Sequence, residues 1–123
     1  MIKSYRDLLV WKRSMELVSL IYSLAQKFPS QEQYGLTSQI RRSAISIPSN
    51  IAEGQGRQST KEFRQFLINA RGSLCELETQ ILIASSLNYL NPEEVKKLLD
   101  LSSEIGKMIN GLTSSLNRKI TDH

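Results

Sequence analysis

The sequence predicts an all-α protein: an antiparallel up-down-up-down bundle of four helices, with the second helix bent at Pro48. Three observations carry that expectation. Apolar residues recur at helical steps of three and four along four stretches. Each stretch is bounded by residues that start or stop helices. No stretch alternates apolar and polar residues as a half-buried strand does, and no two-residue hairpin signal occurs. The expected helices span about 7–27, 37–54, 60–89 and 92–117 of a single domain, 1–123. Short connections between them favour antiparallel neighbours.

In the first helix, Leu8, Trp11, Met15, Val18, Tyr22 and Ala25 form one apolar row, and Val10, Leu17, Ile21, Leu24 and Phe28 form a second beside it. Two rows exceed what one neighbour covers. Such a helix is either central in a bundle or buried a second time in an oligomer. Pro29 stops it, because the residue before a proline disfavours helical backbone. A single helical turn is expected over Gln31 to Tyr34.

The second helix carries Leu36, Ile40, Ala44, Ile47 and Ile51 in one row. Pro48 removes the bond its amide would give the Ala44 carbonyl and crowds that carbonyl. The row keeps phase across the proline, which favours one bent helix over two short ones. Gly54 and Gly56 are expected to end it in the left-handed cap conformation.

Ser59 and Glu62 have the spacing of a capping box. The long third helix follows, with Phe63, Leu67, Ala70, Leu74, Leu77, Ile81 and Ala84 in an unbroken row, broadened by Phe66, Cys75, Leu82, Ile83 and Leu87. Gly72 costs about 1 kcal/mol of helix propensity relative to alanine, so a close backbone approach is expected there. Asn91-Pro92-Glu93-Glu94 supplies the cap, the first-position proline and the acidic first turn of the last helix. Its buried face is Val95, Leu98, Leu99, Ile105, Met108, Ile109, Leu112 and Leu116, and fraying is expected from Asn117 onward.

Function classes are narrowed by what the residues can assemble. No apolar run approaches the ~18 residues of a membrane span, and the N-terminus lacks the features of a signal peptide, so a cytoplasmic location is expected. Cys75 is the single cysteine; its neighbours Leu74 and Leu77 suggest inert core packing. His123, the one histidine, is the last residue and is expected at a loose end. No zinc set and no Cys/His or Ser/His pair can be built from these. Gly54-x-Gly56 follows a helix and lacks a Gly-Lys-Ser/Thr, so it is read as capping rather than as a phosphate loop. Glu76 and Glu78 point to different faces and make no acid/base couple. The expectation is a non-enzyme without metal or cofactor.

Charge is uneven. Residues 36–72 hold six Lys/Arg and two acids, whereas residues 73–123 hold five and seven. The candidate nucleic-acid-binding residues are therefore Arg41, Arg42, Arg57, Lys61, Arg64 and Arg71, with Lys12 and Arg13 adjoining. Lysines and arginines reach a regularly charged backbone without reading sequence. No aromatic residues interleave them as a base-stacking platform would require, so phosphate contacts rather than base stacking are expected. Ser46, Asn50, Glu53 and Arg57 make a polar stripe on one helix face, read as a hydrogen-bonded seam between helices or subunits.

The order Tyr34-Gly35-Leu36-Thr37-Ser38-Gln39-Ile40-Arg41-Arg42, then Ser46-Ile47-Pro48-Ser49-Asn50-Ile51-Ala52-Glu53-Gly54 with Gly56-Arg57, then Glu62-Phe63, Phe66-Leu67 and Gly72-Ser73-Leu74, resembles the bacterial four-helix-bundle family named after the 23S rRNA intervening sequence. The resemblance spans roughly Tyr5 to Leu116. It implies a small cytoplasmic bundle, a barrel-like homopentamer and no agreed enzymatic activity. A similar protein is the accessory variability protein of diversity-generating retroelements, which binds a reverse transcriptase and nucleic acid. The functional expectation is a homo-oligomeric binding or scaffolding module for RNA or a ribonucleoprotein partner. The alternative is a protein-protein adaptor with no nucleic-acid role.

Overall fold

Four helices carry most of the chain in a computed structural model that describes residues 3–121, and no strand occurs among those residues. They are α1 (Leu9–Ala25), α2 (Leu36–Gly56), α3 (Thr60–Ser86) and α4 (Pro92–Thr121), with short 3-10 turns at Tyr5–Asp7 and Ser30–Glu32. Cross-helix contacts fix their directions. Ser43 meets Gln80 while Gly54 meets Phe66, so α2 and α3 are antiparallel. Glu78–Ser102, Arg71–Asn110 and Arg64–Asn117 give the same relation for α3 and α4. Lys27–Glu94 and Arg13–Glu104 close the bundle between α1 and α4. His123 lies outside the described residues.

The apolar rows supply the core. Leu17, Ile47, Ile51, Leu67, Leu77, Ile81, Leu98 and Ile105 are fully buried. The two rows of α1 separate: Val10, Leu17 and Ile21 turn inward, whereas Met15 and Tyr22 are exposed and Trp11 and Val18 half-buried. Leu82, Ile83 and Leu87, expected to broaden the α3 core, also face outward.

Several helix ends differ from expectation, each for a local reason. The chain does not enter α1 directly at Asp7. Asp7 instead accepts bonds from the Lys3 and Ser4 amides at 2.9 and 3.2 Å, closing a capping box on the preceding turn. α2 runs as one helix through Pro48 and through Gly54 to Gly56. Neither glycine makes a left-handed cap, because no described glycine has a positive φ. The turn after α2 is made by Gln58, with φ 59°.

The capping box at α3 is half-made: Ser59 Oγ accepts from the Glu62 amide, but the Glu62 carboxylate turns to Arg57 at 3.7 Å. α3 stops at Ser86 rather than near residue 89. Tyr89 N–H bonds the Ala84 carbonyl and Asn88 N–H bonds that of Ser85, with Asn88 at φ 63°. This is a Schellman ending with asparagine in the left-handed position. α4 remains helical to Thr121, past the expected fraying point at Asn117.

Gly72 does not admit a passing backbone. Nothing lies within 4 Å of where its Cβ would be, and the position is exposed in mid-helix. Replacement by alanine should therefore raise stability by up to about 1 kcal/mol, since propensity is gained and no contact is crowded. Urea titration of Gly72→Ala checks this through the midpoint at unchanged slope.

The start of α4 follows the sequence reading closely. Asn91 Oδ1 accepts from the Glu94 amide at 2.8 Å, and Glu94 Oε1 accepts from the Asn91 amide at 2.9 Å. Lys27 also bonds Glu94. The Lys27 ammonium first, and the Asn91 amide second, hold the Glu94 carboxyl below its ordinary value of 4.5. A lowered folded-state pKa stabilises the fold above about pH 4.5, and that contribution drains away as pH falls through the lower folded value. Thermal midpoints measured from pH 7 to pH 3 should fall less steeply for Glu94→Gln than for the parent.

Candidate nucleic-acid interface

The fold sorts the six expected basic residues onto different sides of the bundle. Arg42 projects where α2 meets α3, donating to Glu76 at 2.7 Å and to Gln39 at 2.8 Å. Arg57 sits at the far end of the same seam, bonded to Glu53 at 2.8 Å and lying over the Phe66 ring at 5.3 Å. Glu53, first through its hydrogen bond and then through its charge, raises the Arg57 pKa further above its already high value. These two charges are largely answered within the chain. Exposed pairs of this kind add little to stability, so they lower the local field more than they hold the fold.

Lys61, Arg64 and Arg71 are different. They run along the edge of α3 that faces α4. Arg64 donates to Asn117 and Arg71 to Asn110, so both guanidinium groups are oriented by neutral amides that leave their charge intact. Lys61 and Arg64 line one cavity with Asn117. Arg71 and Lys107 line the next, a recess of about 220 Å³ that is also lined by Gly106 and by Glu78, whose carboxylate accepts from the Ser102 hydroxyl. None of these four cations forms an ion pair with a carboxylate among the described residues. Lys107 was not a candidate from sequence, because its place beside Arg71 depends on the register of α4 against α3.

Arg13 does not extend this groove. Arg13 bonds Glu16 and Glu104 at 3.1 Å on the α1–α4 side. Cys75, expected in the core, is exposed and lines the Arg71 recess instead. Its two leucine neighbours in sequence point inward while it occupies the adjoining face of the helix.

The polar stripe lies between α2 and α3. Ser46 Oγ is 2.7 Å from Ser73 Oγ, and Asn50 Nδ2 donates to the Ser46 carbonyl and hydroxyl at 2.8 and 3.0 Å. Deeper along the same seam, Ser43 Oγ donates to Gln80 Oε1 at 2.6 Å, with both residues buried. Glu53 and Arg57 finish the stripe as an exposed ion pair. The hydrogen bonds satisfy side chains of one chain, as a register-setting seam between helices requires.

One site feature was invisible in sequence order. Tyr22 from α1 and Tyr34 from the loop before α2 share an open cavity with Arg41 and Arg42. The Arg41 guanidinium lies 4.9 Å from the Tyr22 ring centroid. Aromatic and basic residues from different elements thus meet in one cavity.

Both the sequence and the fold match known proteins. A family model described as 23S rRNA-intervening sequence protein matches residues 6–111. The chain belongs to the 23S rRNA-intervening sequence protein family. A solved structure similar to this family member is a protein of unknown function from the S23 ribosomal protein family of Bacteroides thetaiotaomicron. The two are 26% identical with a TM-score of 0.79, over 85% of this chain and 98% of that one. A comparison with proteins of curated function found no match. Among the described residues, no helix of this family member is long and apolar enough to cross a membrane.

Proposed function

We propose that the chain is a non-enzymatic, homo-oligomeric binding module that holds RNA or a ribonucleoprotein partner along the α3–α4 groove. The observation that carries this reading is the run of Lys61, Arg64 and Arg71 on α3 with Lys107 on α4, the two arginines oriented by Asn117 and Asn110 and all four free of ion pairs among the described residues. Charges left unanswered along a groove attract a polyanion, while Arg42 and Arg57, tied to carboxylates, do so weakly. The family's name, which refers to 23S rRNA, supports the same direction. Binding led by these residues is independent of sequence and falls steeply with salt. Retention of a mixed RNA pool at low ionic strength, lost at moderate ionic strength, is the expected result. No retention at low salt would leave the adaptor reading in its place.

The oligomer part of the proposal rests on the outward row of α1. Trp11, Met15 and Val18 join Ile45, Pro48 and Ala52 of α2 around an open groove of about 300 Å³. Apolar surface of this kind, continuous over two helices, marks an association face. A second copy is the occupant proposed, with a ring of five following from the resemblance. Light scattering should give a multiple of 14.0 kDa, and Met15→Glu with Ile45→Glu should lower it. A single 14.0 kDa species at micromolar concentration contradicts the proposal.

A further inference from the structure

We propose that the cavity between Tyr22, Tyr34 and Arg41 seats one unpaired nucleotide of an RNA, its base stacked on Tyr34 and its phosphate on Arg41. The inference rests on the nucleic-acid reading but uses a different surface, so each can fail alone.

The cavity is open and measures about 480 Å³. Its lining also includes Gln33, Ser38, Arg42 and Ile45, the last shared with the apolar groove between α1 and α2, and no carboxylate lines it. Arg41 is half-buried over Tyr22, and it has no ion pair among the described residues. Its Nε is buried without a hydrogen-bond partner. The positive charge is thus held in place by an aromatic ring and left uncompensated. The carboxylate closest in sequence, Glu32, is committed elsewhere, to the Leu36 amide and the Tyr89 hydroxyl.

Tyr34 is 91% exposed, the most exposed of the large hydrophobic side chains. The backbone on either side of it is nevertheless tethered: the Gln33 amide bonds the Ser30 carbonyl at 3.1 Å and the Gly35 amide bonds the Glu32 carbonyl at 2.9 Å. An aromatic face presented from a hydrogen-bonded turn, beside a guanidinium without a carboxylate, suits a ligand that is planar at one end and anionic at the other. A nucleotide meets both requirements, and Gln33 and Ser38 can bond the edge of its base. Base stacking on such side chains tolerates any sequence. A base held in a duplex cannot reach the tyrosine, so the site distinguishes unpaired from paired RNA.

The test is fluorescence anisotropy with a labelled single-stranded oligouridylate and with a labelled blunt-ended RNA duplex, on the full chain. Tyr34→Ala should weaken the single strand about tenfold to a hundredfold and leave the duplex within a factor of two. Tyr34→Phe should retain binding, since the ring does the stacking. Arg41→Gln should weaken the single strand and flatten its salt dependence by somewhat under one unit. Equal single-strand affinity for Tyr34→Ala and the parent overturns the proposal. So does a change in oligomer mass on Tyr34→Ala, which assigns the surface to a subunit contact. Selective loss of an acidic, tyrosine-containing peptide instead of RNA assigns it to a protein partner and likewise overturns it. If Lys61, Arg64 and Arg71 prove dispensable for the duplex while Tyr34→Ala loses the single strand, the groove reading fails and this one stands. If the parent binds neither RNA, both fail.

Discussion

Gly54→Val is expected to unfold the bundle or to leave it with a greatly reduced melting temperature. Gly54 is buried in α2, and a Cβ built there would lie 2.5 Å from Phe66 Cβ and 3.2 Å from Phe63 Cδ1. The first contact is to a Cβ, which moves only if α3 moves. Even alanine gains about 1 kcal/mol of helix propensity against an overpacking cost at the upper end of about 1–3 kcal/mol. The clash therefore wins, and Gly54→Ala should lose up to about 2 kcal/mol. Valine adds two more methyls to the same contact and should lose more. Gly56, with nothing within 4 Å, is the internal control, and Gly56→Ala should leave the melting temperature unchanged or slightly raised. Circular dichroism melts of the three variants separate close helix packing from a simple backbone requirement. Equal behaviour at positions 54 and 56 would contradict the packing account.

The largest functional effect should follow from replacing Lys61, Arg64 and Arg71 together by glutamine. Each phosphate contact contributes about 0.7 to the logarithmic salt dependence of single-stranded binding, so losing three lowers the slope by about 2. Between 50 and 200 mM salt the parent should then lose about twentyfold more affinity than the triple variant. Arg42→Gln with Arg57→Gln should change the slope far less, because Glu76, Glu53 and Glu62 already answer those charges. A slope that depends equally on all five residues would mean that the ion pairs open on binding and that the groove is not the site.

Much of the fold was legible in the sequence because helical periodicity and capping chemistry are local. The Asn91–Glu94 box and the continuity of α2 through Pro48 needed nothing beyond their own neighbours. Glycine misled because its meaning depends on what lies opposite. Gly54 is small to admit Phe66, Gly72 faces open space, and the left-handed turns fall on Gln58 and Asn88 instead. Cys75 misled because flanking leucines do not fix the face of the residue between them.

The site was legible in part. Sequence identified the basic residues but not which would be neutralised, since that depends on pairs such as Arg42 with Glu76, 34 positions apart. It ranked Arg57 with Arg71, although one is clamped by two carboxylates and the other only by an amide. It also missed the Tyr22–Tyr34–Arg41 cluster, whose members lie far apart in the chain and meet only when α1 packs on α2. The doubled apolar row of α1 was legible as surplus apolar surface, and Met15 and Tyr22 of that row are exposed.

The groove is tested most directly by RNA affinity as a function of ionic strength, measured side by side for the parent and for the Lys61, Arg64 and Arg71 triple variant. The expected result is steep salt dependence in the parent and a slope smaller by about 2 in the variant, with helical content and oligomer mass unchanged. Superimposable curves, or no binding by the parent at the lowest salt, would contradict it.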